Sequence, residues 1–200
     1  LPIYMDILLL VTLFAMLLVF LLRRYHIPIK HRWRRRQARA MCEQLRGPDR
    51  DQPAGLHYAR LRAMDPLAFE ELLLEAFEQR GHRVIRNRRY TGDGGVDGEV
   101  VIDGERWLIQ AKRYRDAIRP EHVRDFAMLC ATRKRRGMFI HTGRTGGMSR
   151  TVVLSADGIE IVSGQRLLAL LTGAPFHPGG FPPLASVGSG RSGIRDRAPL

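Results

Sequence analysis

The chain has only two cysteines in its 200 residues, and Cys42 and Cys130 stand far apart without zinc or redox spacing. That excludes a disulfide framework and a thiolate metal site, and reads as two idle thiols of a reducing compartment. Histidine is no better organised: His57, His82, His122 and His141 show no paired metal spacing. No Ser, Cys and His constellation for nucleophilic catalysis is evident. Glycines cluster at 92–95, but no Gly-Lys-Ser/Thr follows and the chain enters a strand, which excludes a nucleotide phosphate loop. Acidic residues are scarce, 20 against 33 Lys and Arg, leaving a net charge of +13. That balance calls for an anionic partner, either nucleic acid or an acidic membrane surface. Internal repeats are absent.

What is present begins with one long apolar run. Residues 3–22 are apolar apart from Tyr4, Asp6 and Thr12. At about 1.5 Å per residue they match a hydrocarbon core of roughly 30 Å. The run has no polar face, unlike a core helix. No basic residue precedes it and no small-x-small site closes it, unlike a cleaved signal peptide. Arg23, Arg24, Lys30, Arg32, Arg34, Arg35, Arg36 and Arg39 follow instead. By the positive-inside rule this predicts a single-pass signal anchor over 3–22, with the C-terminal side in the cytoplasm and lipid as partner. Residues 23–63 read as a basic juxtamembrane linker in which Pro28, Gly47, Pro48, Pro53 and Gly55 interrupt helix, with a basic juxtamembrane helix open over 31–45. Its arginines fit a topogenic cluster on anionic headgroups, at about 1 kcal/mol each, better than a DNA grip.

A soluble domain is predicted over 64–172. Asp65-Pro66 supplies an N-cap and a first helical residue, and Phe69, Leu72, Leu73, Ala76 and Phe77 recur at helical spacing up to Gly81. Strands are expected at 82–85, 100–102, 106–109, 137–141 and 159–162. Helices are expected from Pro120, over 149–156 and over 165–171. The fold class is α/β: a mixed sheet flanked by helices, preceded by one transmembrane helix. Residues 173–200, rich in Gly, Pro, Ser and Arg, read as a disordered basic tail.

The chemistry concentrates between Gly92 and Lys112. Asp103-Gly104 is a two-residue hairpin signal, because type I′ geometry needs positive φ at both central positions. Counting outward sets Ile102 against Glu105, Val100 against Trp107 and Asp97 against Gln110. Lys112, two residues further, shares the face of Gln110. A carboxylate, an amide and an ammonium then converge beside a glycine-rich bend, an arrangement suited to a divalent cation and a phosphate.

Gly92-Asp93-Gly94-Gly95-Val96-Asp97 followed by Gln110-Ala111-Lys112 resembles the active-site hairpin of the PD-(D/E)xK nucleases, in the Mrr-like restriction endonuclease branch that carries Gln in place of Asp or Glu. The resemblance covers about residues 65–171. It implies a restriction-endonuclease-like core and Mg²⁺-dependent hydrolysis of DNA phosphodiesters, with Mn²⁺ as the alternative ion. Asp97, the Gln110 side chain and the Ala111 backbone carbonyl would hold the metal, Lys112 would act on the water or the transition state, and Glu70 of the first helix is the matching extra carboxylate. Arg88, Arg89, Arg113, Arg115 and Arg144 are the expected DNA contacts. The linker is too short and too charged for the winged-helix domain that Mrr-type enzymes often carry. A homodimer would ease double-strand cleavage. The alternative function is a catalytically silent, membrane-anchored DNA-binding module of the same fold.

Overall fold

The fold grows outward from one tight turn. In a computed structural model that describes residues 2–87 and 95–179, Asp103 and Gly104 take φ of 51° and 82°. They join β2 (Gly98–Ile102) to β3 (Glu105–Lys112) in the expected register, Ile102 against Glu105 and Val100 against Trp107. β1 (Arg83–Arg86) pairs antiparallel with β2. β4 (Arg136–His141) and β5 (Ile159–Val162) extend the sheet in parallel, giving the order β1-β2-β3-β4-β5. A helix makes each parallel crossover: α4 (Pro120–Arg133) leads into β4, and α5 (Gly147–Ser155) into β5.

Two apolar layers sandwich this sheet. On one face α3 (Pro66–Glu78) and α6 (Gly164–Thr172) bury Phe69, Leu72, Leu73, Leu167 and Leu171 against Val100, Trp107 and Ile109. On the other, Val123, Phe126 and Cys130 of α4 cover Leu108 and Phe139. α3 starts where the sequence places it. Asp65 accepts from the Leu67 and Ala68 N–H groups at 3.0 and 3.1 Å, a cap worth about 1 kcal/mol.

Upstream of the domain the structure corrects the sequence reading. Instead of a linker broken at Pro28, α1 (Pro2–Arg46) runs as one helix, with described side chains at 5–21 and 32–46. Its second half joins the core through Ala38, Cys42 and Leu45, and α2 (Ala54–Ala63) adds Leu61. Arginines assigned to lipid lie along α3: Arg34 pairs with Asp65 at 3.2 Å, Arg39 with Glu75 at 3.3 Å, and Arg35 with Glu71 at 4.0 Å. Acidic partners on a neighbouring helix outcompete solvent for these cations once both helices are buried together.

The transmembrane span expected over 3–22 lies within α1, yet among the described residues no helix is long and apolar enough to cross a membrane. The expected tail also starts too early. Phe176 is buried with its ring 6.0 Å from that of Phe77, and Arg80 donates to Ala174 O at 2.6 Å. Residues 180–200 lie outside the described residues.

Candidate active site

The β2–β3 hairpin stands Asp97 opposite Gln110, and Gln110 and Lys112 share one face of β3. The ladder pairs Gly98 with Ile109, and the Asp97 N–H donates to Ile109 O at 2.8 Å, so Asp97 stands opposite Gln110 one step past the strand. Side chains alternate along β3. Trp107, Ile109 and Ala111 face α3, whereas Leu108 faces α4, which puts Gln110 and Lys112 on the α4 side.

Each donor atom is held by a local bond. Asp97 Oδ2 accepts from the Ala111 N–H at 2.7 Å. The N–H and C=O of a strand residue point to the same edge, so the Ala111 carbonyl points to the edge where Asp97 stands. Gln110 is buried, and its Nε2 donates to Gly95 O at 2.7 Å. Gly95 has φ of 88°, and a Cβ there would sit 2.9 Å from that Nε2. The bond fixes which way the amide points, and it leaves Gln110 Oε1 buried without a hydrogen-bond partner. Buried acceptors are rarely left so. An orphaned carbonyl oxygen beside a carboxylate fits a hard cation.

Glu70, on α3, stands near enough for the charges of Asp97 and Lys112 to act on its carboxyl. Burial and then the charge of Asp97 push its carboxyl up to about 8, against an opposing pull from Lys112. It is therefore protonated at neutral pH in the absence of metal. Its neighbour Glu71 turns away and binds Arg86 at 3.0 Å. Among the described residues no group of three or more His, Cys, Asp or Glu gathers as a metal site. The donor set here is two carboxylates, one amide oxygen and one backbone carbonyl.

The remaining candidates divide. His141 pairs with Lys112 across β4, but it is fully buried: Nδ1 accepts from the Gly143 N–H at 3.2 Å and Nε2 lies 3.1 Å from Thr145 Oγ1. Burial holds its pKa down to about 4, so it is a neutral structural group. Arg115 and Arg144 are exposed near the carboxyl ends of β3 and β4. Arg113, expected on DNA, turns into the fold, where Nη1 donates to Arg62 O at 2.7 Å. That carbonyl belongs to the last turn of α2, where no helical partner remains. Arg88, Arg89 and the glycines at 92 and 94 lie outside the described residues. Sequence reasoning missed Arg62 altogether, because nothing in a stretch read as linker marks one arginine above its neighbours.

Comparison with known proteins places most of the described domain in one family. The restriction endonuclease family model Mrr_cat matches residues 61–171. Over 130 residues the chain is 31% identical to the type IV methyl-directed restriction enzyme EcoKMrr of Escherichia coli strain K12, covering 61% of this chain and 43% of that protein. The chain thus spans less than half the length of this curated relative. Among solved structures it is similar to Pyrococcus furiosus SfsA in complex with Ca²⁺, at TM-score 0.35 and 17% identity over 52% of this chain and 56% of that one. It is also similar to the DNA modification-dependent restriction endonuclease AspBHI, at TM-score 0.31 and 16% identity over 68% and 35%. Both structural likenesses are too distant to carry weight.

Proposed function

Because the chain belongs to the Mrr-type restriction endonuclease family, we propose that it is a Mg²⁺-dependent DNA endonuclease, with Asp97, Gln110, Lys112 and Glu70 as its working residues. One observation carries the metal assignment: Gln110 Oε1 is buried, unpartnered and directly across the hairpin from Asp97. A cation would be held by Asp97, Gln110 Oε1, the Ala111 carbonyl and Glu70. Bound there, Mg²⁺ or Mn²⁺ supplies Lewis-acid polarisation of the scissile phosphate and a more acidic water.

The protein's own groups do the rest. The Ala111 N–H orients the Asp97 carboxylate, and Gly95 O orients the Gln110 amide. The Lys112 ammonium, fixed at the end of β3, stabilises charge building on the phosphoryl oxygens as water attacks phosphorus and the leaving oxygen departs. Arg115 and Arg144 offer positive charge to the flanking backbone. Neutral Gln110 leaves the site less negative than a Glu would, so it should bind Mg²⁺ weakly until a phosphate completes the shell.

The proposal includes a tether. Leu8, Leu9 and Leu10 are 60%, 61% and 66% exposed. Successive helical residues point about 100° apart, so the apolar surface surrounds α1. Such a surface suits bilayer hydrocarbon, and the arginines after it favour a cytoplasmic nuclease. A homodimer would supply a second site for the opposite strand.

Plasmid nicking tests the enzyme. The chain should nick DNA with Mg²⁺ or Mn²⁺, and both Asp97→Ala and Lys112→Ala should abolish it. DNA binding without cleavage in either metal would instead make the chain a silent binding module. Flotation with anionic liposomes, seen for the full chain and lost for residues 32–200, tests the tether.

A further inference from the structure

Arg62 is tied to the rim of the site at several points. Its guanidinium lies over the Tyr58 ring at 5.3 Å from the centroid, and the Tyr58 hydroxyl donates to Gly164 O of α6 at 2.9 Å. Arg62 Nη2 donates to Thr142 O at 2.7 Å, and the Arg62 carbonyl accepts from Arg113 Nη1 at 2.7 Å. Thr142, just past β4, completes the loop. Its N–H donates to Lys112 O at 3.3 Å, and its hydroxyl donates to Tyr114 O at 2.9 Å while accepting from the Tyr114 N–H at 3.1 Å. The chain from 112 to 114 is therefore held at the Lys112 carbonyl, the Arg113 side chain and both backbone groups of Tyr114.

Lys112, paired with His141, is the last ladder residue of β3, and chain that leaves a sheet frays. Here an arginine from another helix holds Thr142, the first residue past that last pair on β4. The Nε atoms of Arg62 and Arg113 are both buried without an acceptor. We propose that Arg62 is a positioning residue for Lys112, acting through Thr142 and Arg113 without touching DNA. This rests on the reading of Lys112 as the group that faces the phosphate.

The full chain is compared with Arg62→Ala and Arg62→Lys on a linear duplex with Mg²⁺ or Mn²⁺. Arg62→Ala should lower the single-turnover rate at saturating duplex by about 10- to 100-fold. Duplex affinity should stay within about twofold, with an unchanged salt slope. Arg62→Lys keeps a donor within reach of Thr142 O and should restore part of the rate. A second readout needs no cleavage. The Lys112 amine should acylate several-fold faster in Arg62→Ala, measured by peptide mass spectrometry against exposed Lys134. Weaker duplex affinity with a salt slope smaller by about one would make Arg62 a phosphate contact and overturn the proposal. Unchanged rate and labelling would overturn it equally. If the wild-type chain cleaves nothing, the nuclease reading fails by itself, and labelling decides the role of Arg62. Should Arg62→Ala not fold, Arg113→Gln breaks the second tie, from Arg113 Nη1 to the Arg62 carbonyl, with the same expectations.

Discussion

At the scale of single residues, Gln110 and Glu70 divide the work of tuning the site. Gln110→Glu adds a second firm carboxylate next to Asp97, so the metal concentration for half-maximal cleavage should fall. A titration of nicking rate against Mg²⁺ reads this directly, and an unchanged midpoint would remove Gln110 from the metal shell. Glu70 predicts a pH signature in the metal-free protein. Its carboxyl is raised from 4.5 to about 8. Between those values the folded chain keeps a proton that the unfolded chain has released, so stability falls as pH rises through that window. Glu70→Gln removes the effect. Its melting temperature should match that of the wild type near pH 4.5 and exceed it above pH 8, by the equivalent of a few kcal/mol. His141 acts in the opposite sense. Its pKa is lowered from 6.5 to about 4, so the stability it contributes is present above pH 6.5 and is lost as pH falls toward 4.

At the scale of elements, the β2–β3 turn governs the site. Gly104 has φ of 82° and open space around its Cβ direction, so Gly104→Val costs backbone strain alone, about 1–2 kcal/mol. Urea unfolding should show that loss, and nicking should fall with it if register carries the chemistry. This element was legible in the sequence because Asp-Gly needs no tertiary partner to declare itself, and the Asp65-Pro66 start of α3 was legible for the same reason. α1 was not. Arg34, Arg35 and Arg39 read alike whether they meet headgroups or carboxylates. Only folding brings Asp65, Glu71 and Glu75 beside them. The inward bond of Arg113 was hidden likewise, since its acceptor is a carbonyl fifty-one residues away. Deleting residues 1–46 should therefore destabilise the domain by exposing Leu72, Leu73 and Ala76, whereas deleting 1–31 leaves the core intact. Circular dichroism melts of the two truncations check this.

At the scale of the molecule, a net charge of +13 predicts a steep inverse dependence of DNA affinity on salt. Equal binding at low and high salt would exclude a backbone-dominated interface. The general plan of mixed sheet and covering helices was readable because periodicity and turn residues agree from Asp65 onward. The extent of the folded unit was not, because the helices before it present their apolar residues to α3 and α6 and carry no boundary signal of their own. β3 has one further consequence. Its hairpin edge pairs within a few residues, but its other edge waits for β4, which follows a fourteen-residue helix. A nascent chain emerging from the ribosome therefore carries residues 105–112 as an open template. Co-translational aggregation should begin there, on the very strand that bears the lysine and the amide.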